Sequence, residues 1–538
     1  MTEITLIFHH IQPGALVFAQ GNVNSTIIAP GPALRGDVRN LFDTPQQRYY
    51  KIRKNLEQAI PLEIGLTAFT FNRDEITYTA KPYKFYLFPA HFGLMYKSFV
   101  CQSSAFHFLG EHKFDFNKFV YSGIPFLNKT QELEIQKLID EKRIYQYCKY
   151  SLESGGKADI DKLIEIVWKW FRNERNAKEK TLCDINTKNY CFIYWLHNDI
   201  RNMSKQSIWT YEENQKFKVK RVTPQEFKQL NMEYSLEKKL LTTLLGFTRI
   251  FRLISDLRKP IVGHNFLNDL ILIINTFDNP VPASYNTFKN IAHNFFPSIF
   301  DTKTINFELV NCIDEKKRWK GNNGLQELYH FFKNEGGRHL VPGSPRIEIN
   351  EEFDYYSDDK FHDAGWDSYC TGYCFIRMAH CFAALNYGAH VRKTFMHSEL
   401  LKAVECFKNK VNVIRATTPY LNLSGADPAS RRPPCLIIQS TTCKSVDIFK
   451  VTELIRECGS VDIKPHSWGG QTAIAAVGNY GSVNRILQKF EKNKEFKILT
   501  YNPLRHSPII RVALWSTALL SGGVLAWIIH KQLSKCSG

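Results

Sequence analysis

The feature that most constrains the fold is the stretch of residues 261–277, IVGHNFLNDLILIINTF. A short apolar pair and a glycine are followed at once by apolar residues at helical spacing, which is the strand, turn and helix order of α/β proteins. Residues 64–71 (IGLTAFTF) and 83–89 (YKFYLFP) alternate in the manner of strands on either side of a polar turn at residues 72–75. The sequence therefore predicts an α/β fold that includes two strands separated by a polar turn.

The composition is that of a globular protein with a basic surface. The chain has 538 residues, enough for two to four domains, and its 44% hydrophobic content excludes a disordered chain. Its net charge of +18 favours a polyanionic partner, either RNA, DNA or an anionic membrane, although a merely basic soluble protein is an equal alternative. The 13 cysteines form no C-x-x-C pair, which predicts reduced intracellular thiols and no zinc site.

Two parts of the chain have the composition of additional domains. Residues 130–245 are highly charged, with a helical pattern at 162–171 and a basic strand pattern at 216–222. They predict an inserted domain, either a small nucleic-acid binder or a charged solvated insertion. Residues 434–500 read as βαββαβ, the ferredoxin-like arrangement of RNA-recognition domains. Their third strand offers only small residues for stacking on bases, so a packing or dimerisation module remains an alternative.

The C-terminal region contains a long uncharged segment. Residues 512–529, VALWSTALLSGGVLAWII, are just long enough to span a bilayer core, and tryptophans lie near both ends. A buried core helix is the alternative interpretation. Residues 1–10 lack the basic region of a signal peptide. We expect a tail anchor, with the preceding chain in the cytosol, in the mitochondrial outer membrane or alternatively in the endoplasmic reticulum.

Three side chains are candidates for phosphoryl-transfer chemistry: Asp269, His362 and Asp367. His362 and Asp367 are five positions apart, roughly 140° around one ideal helix, so they converge only if Asp367 lies on the helix and His362 at its entrance. Carboxylates hold the Mg²⁺ pair of two-metal nucleases, and a neutral histidine accepts a proton from water. A helix start with a solvated His and Asp is the alternative.

Several motifs resemble those of the poly(A)-specific ribonuclease family, in the DEDDh group of 3′-to-5′ exoribonucleases. The motifs are FDTPQQRYYKIRK (42–54), FVCQSS (99–104), FDFNK (114–118), GIPFLN (123–128), VGHNFLND (262–269), FPSIFDTK (296–303) and HDAGWDSYCTG (362–372). The C-terminal half is similar to a membrane-anchored branch that trims the 3′ ends of PIWI-interacting RNA precursors. That similarity rests on residues 411–434 (VNVIRATTPYLNLSGADPASRRPP) and 504–508 (LRHSP).

The resemblance implies a ribonuclease H-like core in two halves, an RRM-like α+β domain and a C-terminal transmembrane helix. The implied boundaries are an atypical N-terminus (1–41), core halves (42–135 and 246–425), an insertion (136–245), the RRM-like domain (426–503) and the transmembrane helix (509–529).

The resemblance also implies a chemistry and a set of partners. Asp269 and Asp367 would bind Mg²⁺, and His362 would be the general base. Asp301 is a family landmark to which we assign no catalytic role. The implied partners are RNA with a free 3′ end, a PIWI protein, a Tudor-domain scaffold protein, a membrane and a second copy of the chain.

The chain departs from the family at its first motif. The family's Asp-x-Glu, which supplies two metal ligands, is expected at residues 21–28, but GNVNSTII holds no acidic residue. No aspartate in the chain is followed two places later by a glutamate. Either residues 1–41 are a mispredicted or alternative start, or the protein is a pseudonuclease that acts as an RNA-binding scaffold. In both cases we expect this chain to be weakly active or inactive; a poly(A) deadenylase is a further alternative.

Overall fold

The computed structural model describes most of the chain. The described residues are 16–19, 39–100, 103–152, 154–185, 189–313, 324–334, 337, 343–353, 361–388, 394–441, 445–466 and 470–536. The chain divides into two compact units. The first consists of residues 1–36, 52–412 and 422–426, and the second of residues 37–51, 413–421 and 427–538.

The strands of the described chain are β1 (Leu16–Ala19), β2 (Glu63–Asn72), β3 (Thr77–Tyr86), β4 (Glu179–Asp184), β5 (Ile208–Glu213), β6 (Lys216–Arg221), β7 (Ile261–Gly263), β8 (Ile299–Asp301), β9 (Arg346–Ile349), β10 (Lys410–Asn412), β11 (Tyr420–Asn422), β12 (Leu436–Ser440), β13 (Val461–Pro465), β14 (Thr472–Val477) and β15 (Phe496–Thr500).

The α-helices are α1 (Pro45–Leu56), α2 (Ser103–Glu111), α3 (Lys129–Asp140), α4 (Ile144–Ser151), α5 (Ser154–Asn173), α6 (Tyr190–Met203), α7 (Pro224–Glu233), α8 (Leu236–Leu245), α9 (Phe247–Leu257), α10 (Leu267–Phe277), α11 (Tyr285–Phe295), α12 (Thr302–Cys312), α13 (Leu325–Lys333), α14 (Ala364–Tyr387), α15 (His397–Ala403), α16 (Ile448–Arg456), α17 (Tyr480–Phe490), α18 (Pro503–His506) and α19 (Pro508–Cys536).

A mixed sheet organises the first unit. Seven of its strands follow one another in the order β10-β8-β7-β1-β2-β3-β9. Strand β2 is antiparallel to both of its neighbours, β1 and β3. Strands β1, β7, β8 and β10 are parallel to one another, and β9 is parallel to β3. The predicted α/β class is confirmed. The two predicted strands are β2 and β3, which pair as a hairpin, and β3 begins and ends earlier in the chain than predicted, at Thr77 and Tyr86.

Helix α14 is the buried centre of this unit. Its residues 364–384 are all buried, and its apolar side chains form one core cluster with side chains of β2, β3, β7, β8 and α13. The helix lies directly against β2 at Gly65, where an added Cβ would be 1.7 Å from the carbonyl oxygen of Ala364. This close approach fixes the start of α14, and with it Asp367, relative to the sheet.

Residues 241–257, LTTLLGFTRIFRLISDL, have apolar residues at helical spacing throughout but form parts of two helices. Helix α8 ends at Leu245 and α9 begins at Phe247. Gly246 between them has φ +41°, and an added Cβ would be 2.0 Å from the carbonyl oxygen of Pro125. The backbone N–H of Phe247 donates to that same oxygen at 2.9 Å. The break therefore depends on a contact with a residue far away in the sequence.

The insertion contains a small sheet with its own core. Strands β4, β6 and β5 lie antiparallel in that order, and apolar side chains of α5 and α6 pack with them. The predicted basic strand is β6. Its Lys220 pairs in register with Glu179, and its Lys216 with Glu213. The basic side chains of β6 are thus accompanied by carboxylates.

The second unit contains the predicted βαββαβ order. Its elements are β12, α16, β13, β14, α17 and β15, and the sheet order is β13-β14-β12-β15. Its assignment as an RNA-recognition domain stays a prediction. Residues 37–51 and 413–421 belong to the same compact unit as these elements. The domain boundaries predicted from the sequence stay a prediction.

The C-terminal segment forms helix α19, which includes the predicted span at residues 509–529. The predicted transmembrane helix lacks support from the structure. In the part of the chain that is described, no helix is long and apolar enough to cross a membrane.

Candidate active site

Asp269 lies in the first turn of α10, three residues after the short turn that follows β7. Its side chain is buried, and its Oδ1 atom has no hydrogen-bond partner. Burial raises the pKa of this carboxyl well above its ordinary value, and the charge of Asp301 raises it further. A buried carboxylate oxygen without a donor is available to a cation.

Asp301 is a second buried aspartate, at the end of β8, and it caps helix α12. Its carboxylate accepts four backbone N–H groups, at 2.9–3.0 Å, from Asn265, Phe266, Lys303 and Asn412. These bonds hold the turn between β7 and α10 in place. The carboxylate of Asp301 therefore binds backbone N–H groups. It contributes to the site by holding the turn that positions Asp269.

His362 and Asp367 lie on either side of the start of α14. Asp363 caps the helix by accepting the backbone N–H groups of Gly365 and Trp366. Asp367 follows in the first turn and is buried, and its Oδ1 accepts the backbone N–H of His362 at 3.3 Å. His362 has φ +72°, a left-handed conformation that a non-glycine residue adopts at a cost. The structure thus brings these two residues together through the backbone of His362.

The imidazole of His362 contacts the end of helix α2. Its ring centroid is 4.0 Å from that of His112 and 5.2 Å from that of Phe108. Partial burial lowers the pKa of His362, and the nearby His112 lowers it further. A neutral imidazole at neutral pH can accept a proton.

A charged network that the sequence did not reveal supports Asp367. Lys84 Nζ lies 2.6 Å from Asp363 Oδ2 and 3.2 Å from Glu63 Oε2. Glu63 is buried on β2, and its Oε1 accepts the backbone N–H of Ala364. Burial raises the pKa of Asp367 well above its ordinary value, and Asp363 and Glu63 raise it further. Asp363 could have been found from its helix-cap position before Gly365 and Trp366.

The carboxylates at this site are the kind of ligand that binds a divalent cation, but the described residues supply too few of them. Asp269 and Asp367 are hard oxygen ligands in buried positions, which suits a cation such as Mg²⁺. Among the described residues, however, no group of three His, Cys, Asp or Glu side chains could hold a metal ion. The strand beside β7 is β1, whose sequence LVFA contains no acidic residue. The expected first motif at residues 21–28 lies outside the described residues.

Comparison with known proteins identifies a family for this chain. Residues 33–375 match the family described as CAF1 family ribonuclease. The chain belongs to that family. It is thereby assigned to the exoribonucleases, which are hydrolases, and the resemblance to poly(A)-specific ribonucleases seen in its motifs is confirmed.

Three relatives illustrate the similarity. The pre-piRNA 3′-exonuclease trimmer of Bombyx mori is 34% identical over 499 residues, 92% of this chain and 91% of that protein. Poly(A)-specific ribonuclease PNLDC1 of Homo sapiens is 27% identical, over 92% of this chain and 93% of its own length. Poly(A)-specific ribonuclease PARN of Xenopus laevis is 28% identical, over 88% of this chain and 75% of its own length.

Proposed function

We propose that the protein is a 3′-to-5′ exoribonuclease that removes nucleotides from the 3′ ends of PIWI-interacting RNA precursors. The observation that carries this proposal is the 34% identity, over 92% of the chain, to the trimmer of Bombyx mori. The buried carboxylates at the starts of α10 and α14 support it, because family members of the DEDD type normally use divalent metal ions.

The residues of the site have separate tasks in this proposal. Asp269 and Asp367 would hold the divalent cation, Mg²⁺, which would stabilise negative charge on the phosphate oxygens. The imidazole of His362 accepts a proton from the attacking water. Asp301 keeps the turn before Asp269 in place, and the network of Lys84 holds the start of α14.

Two other functions have specific observations in their favour. Relatives named poly(A)-specific ribonucleases favour a deadenylase, which would prefer poly(A) tails to mixed sequences. An RNA-binding pseudonuclease is favoured by strand β1, which lacks acidic residues, and by the incomplete set of metal ligands among the described residues. The scaffold function requires that RNA binding persist and that Asp269→Asn have no effect.

The location and partners belong to the same proposal. We propose that α19 anchors the protein in the mitochondrial outer membrane, with the endoplasmic reticulum as the alternative, and that the catalytic unit faces the cytosol. Support comes from the large apolar side chains exposed along α19, among them Trp515, Leu519, Leu520 and Trp527. The proposed partners are a PIWI protein carrying the precursor RNA and a Tudor-domain scaffold protein. A second copy of the chain is a further proposed partner.

The experiment that tests this function compares three RNAs in Mg²⁺ with the full-length protein, both unmodified and with an Asp-x-Glu pair introduced in β1, because the unmodified chain has no Asp-x-Glu and should shorten RNA weakly or not at all. One RNA ends in mixed sequence, one in poly(A), and one in mixed sequence with a blocked 3′ hydroxyl. A trimmer shortens the first at least as fast as the second and leaves the third intact, and Asp269→Asn abolishes shortening. A strong preference for poly(A) would support the deadenylase. Unchanged RNA binding without any shortening, in every variant, would support the scaffold.

A further inference from the structure

Four arginines of the second unit gather around two aspartates of the same unit. We call Arg39, Arg48, Arg415 and Arg432 the arginine cluster; its aspartates are Asp43 and Asp462. In the part of the chain that is described, Arg48 pairs with Asp43 and Arg415 pairs with Asp462, and Lys51, whose Nζ lies 3.0 Å from Asp43, adds another cation. An excess of partly buried positive charge is costly unless a further anion is present.

Arg48 is the most buried member of the cluster, with 1% of its side chain exposed. Its Nη2 lies 3.1 Å from Asp43 Oδ2 and donates to the carbonyl oxygens of Asn40 and Arg415. Its Nε and Nη1 have no hydrogen-bond partner. Native proteins rarely leave buried donors unsatisfied, and a guanidinium donor is among the most expensive to leave so.

Two other members of the cluster also have unused donors. Arg415 holds Asp462 through Nη2, with both carboxylate oxygens at 2.6 Å, but its Nε has no partner. Arg432 is half-buried, and its Nη1 has no partner. Unsatisfied donors thus occur on three arginines of one cluster.

The arginines are close enough to act on one another. Burial lowers the pKa of Arg48 to about 10, and Arg39, Arg415 and Arg432 lower it while Asp43 raises it. Burial and Arg415 lower the pKa of both Arg39 and Arg432. Mutual repulsion of this kind would be relieved by a bound anion.

We propose that the arginine cluster is a binding site for a phosphate group. The planar fork of a guanidinium matches the geometry of phosphate oxygens and donates two parallel hydrogen bonds to them. The unused donors of Arg48, Arg415 and Arg432 supply those bonds. The phosphate is either a free inorganic ion or a phosphodiester of bound RNA, since both present the same oxygens.

The first test measures the melting temperature of the full-length protein in a mild detergent at constant ionic strength. Inorganic phosphate replaces chloride over a concentration series. A ligand that binds only the folded state raises the melting temperature as its concentration rises. We expect such a rise in the wild type and an apparent phosphate affinity at least about tenfold weaker in Arg432→Gln, because a charged hydrogen bond is lost.

The matched control is Arg485→Gln, which removes the same charge from an exposed arginine of the same unit, outside the cluster. It should retain the response of the wild type. Arg48→Met is a second cluster variant, but Arg432→Gln is the deciding one because its side chain is only half-buried and its folding is less at risk. Equal phosphate responses in the wild type, Arg432→Gln and Arg485→Gln would overturn the proposal.

A second arm distinguishes the two sources of phosphate. Binding of a short single-stranded RNA is measured with the same variants, with and without inorganic phosphate. If the site takes a phosphodiester, Arg432→Gln weakens RNA binding about tenfold, Arg485→Gln does not, and inorganic phosphate competes. If the site takes the free ion, Arg432→Gln changes the rise in melting temperature with phosphate but not the binding of RNA. If neither measurement depends on Arg432, no phosphate site exists here.

Discussion

At the scale of single residues, Asp269 and Asp301 show how two buried aspartates of one unit differ in their tasks. Asp301 satisfies four backbone N–H groups, whereas one oxygen of Asp269 satisfies none. The first arrangement stabilises the fold. The second lowers stability and leaves a carboxylate oxygen available to a cation, an arrangement that is common where a fold retains a functional group.

We predict that Asp269→Asn raises the free energy of unfolding in EDTA at pH 7, by about 1–3 kcal/mol. The folded-state pKa of Asp269 lies above its ordinary value of 3.8, so the carboxyl favours the folded state only at low pH and opposes it as pH rises. Asparagine removes that penalty. Asp301→Asn is the matched substitution, and it should destabilise because it weakens the four backbone bonds. Denaturant unfolding of both variants measures this, and destabilisation by Asp269→Asn would contradict the assignment.

His197 in the insertion is a buried histidine, and from its surroundings we expect the protein to lose stability in acid. It is buried, with Nδ1 2.6 Å from Thr210 Oγ1 and Nε2 3.1 Å from Glu212 Oε1. Burial lowers its pKa to about 4. The hydrogen bonds and charges of His197 and Lys239 lower the pKa of Glu212 to about 2, against the effect of its burial.

We predict that stability falls between pH 6.5 and pH 4. In this range the unfolded chain binds a proton at His197 while the folded protein does not, so about 3 kcal/mol of stability is lost. Below about pH 4.5 the depressed pKa of Glu212 adds a further loss. Unfolding midpoints across this range measure the slope. His197→Gln should flatten it and His107→Gln, at an exposed position, should not; equal slopes would contradict the prediction.

At the scale of elements, the sequence predicted the structure that depends on local apolar spacing. It did not predict the structure that depends on contacts between residues far apart in the chain. The β2–β3 hairpin and the strand, turn and helix of β7 and α10 follow from apolar spacing alone. The break at Gly246 could not be predicted, because it depends on Pro125. The same holds for the bond between Lys84 and Asp363, which are 279 positions apart in the chain.

The contact of β2 with α14 gives a prediction at this scale. Gly65→Ala should destabilise the first unit by several kcal/mol, because its Cβ would meet the backbone of Ala364 and force apart two buried elements. The control is Gly110→Ala within α2, where an added Cβ meets nothing within 4 Å. It should be neutral or stabilise by up to about 1 kcal/mol through helix propensity. Thermal unfolding compares the two, and equal effects would contradict the proposed contact.

At the scale of the whole molecule, the family was recognisable from motifs, and the roles of Asp269, His362 and Asp367 stay a prediction. The grouping of residues 37–51 with the C-terminal unit was not recognisable from the sequence. That grouping depends on contacts such as the bond from Arg48 Nη2 to the carbonyl oxygen of Arg415. Strand β1 lies between β2 and β7 and has no acidic residue, so it supplies no carboxylate to a metal site.

The location of the protein is also decided at this scale. We predict that the full-length chain remains in the membrane fraction after alkaline extraction, and that a chain ending at residue 505 is released. The physical reason is the apolar side chains that α19 exposes, such as Leu519 and Leu520. Release of the full-length chain would contradict the proposed anchor.

The most direct test of the central claim is a 3′-end shortening assay that rebuilds an Asp-x-Glu pair in β1. Two double variants are made, Leu16→Asp with Phe18→Glu and Val17→Asp with Ala19→Glu. Because side chains alternate along a strand, each pair lies on one face of the sheet, and each variant is the control for the other. We predict weak or no shortening by the unmodified chain and shortening by one of the two variants, which Asp269→Asn then abolishes. Shortening by the unmodified chain that persists in Asp269→Asn would contradict the account.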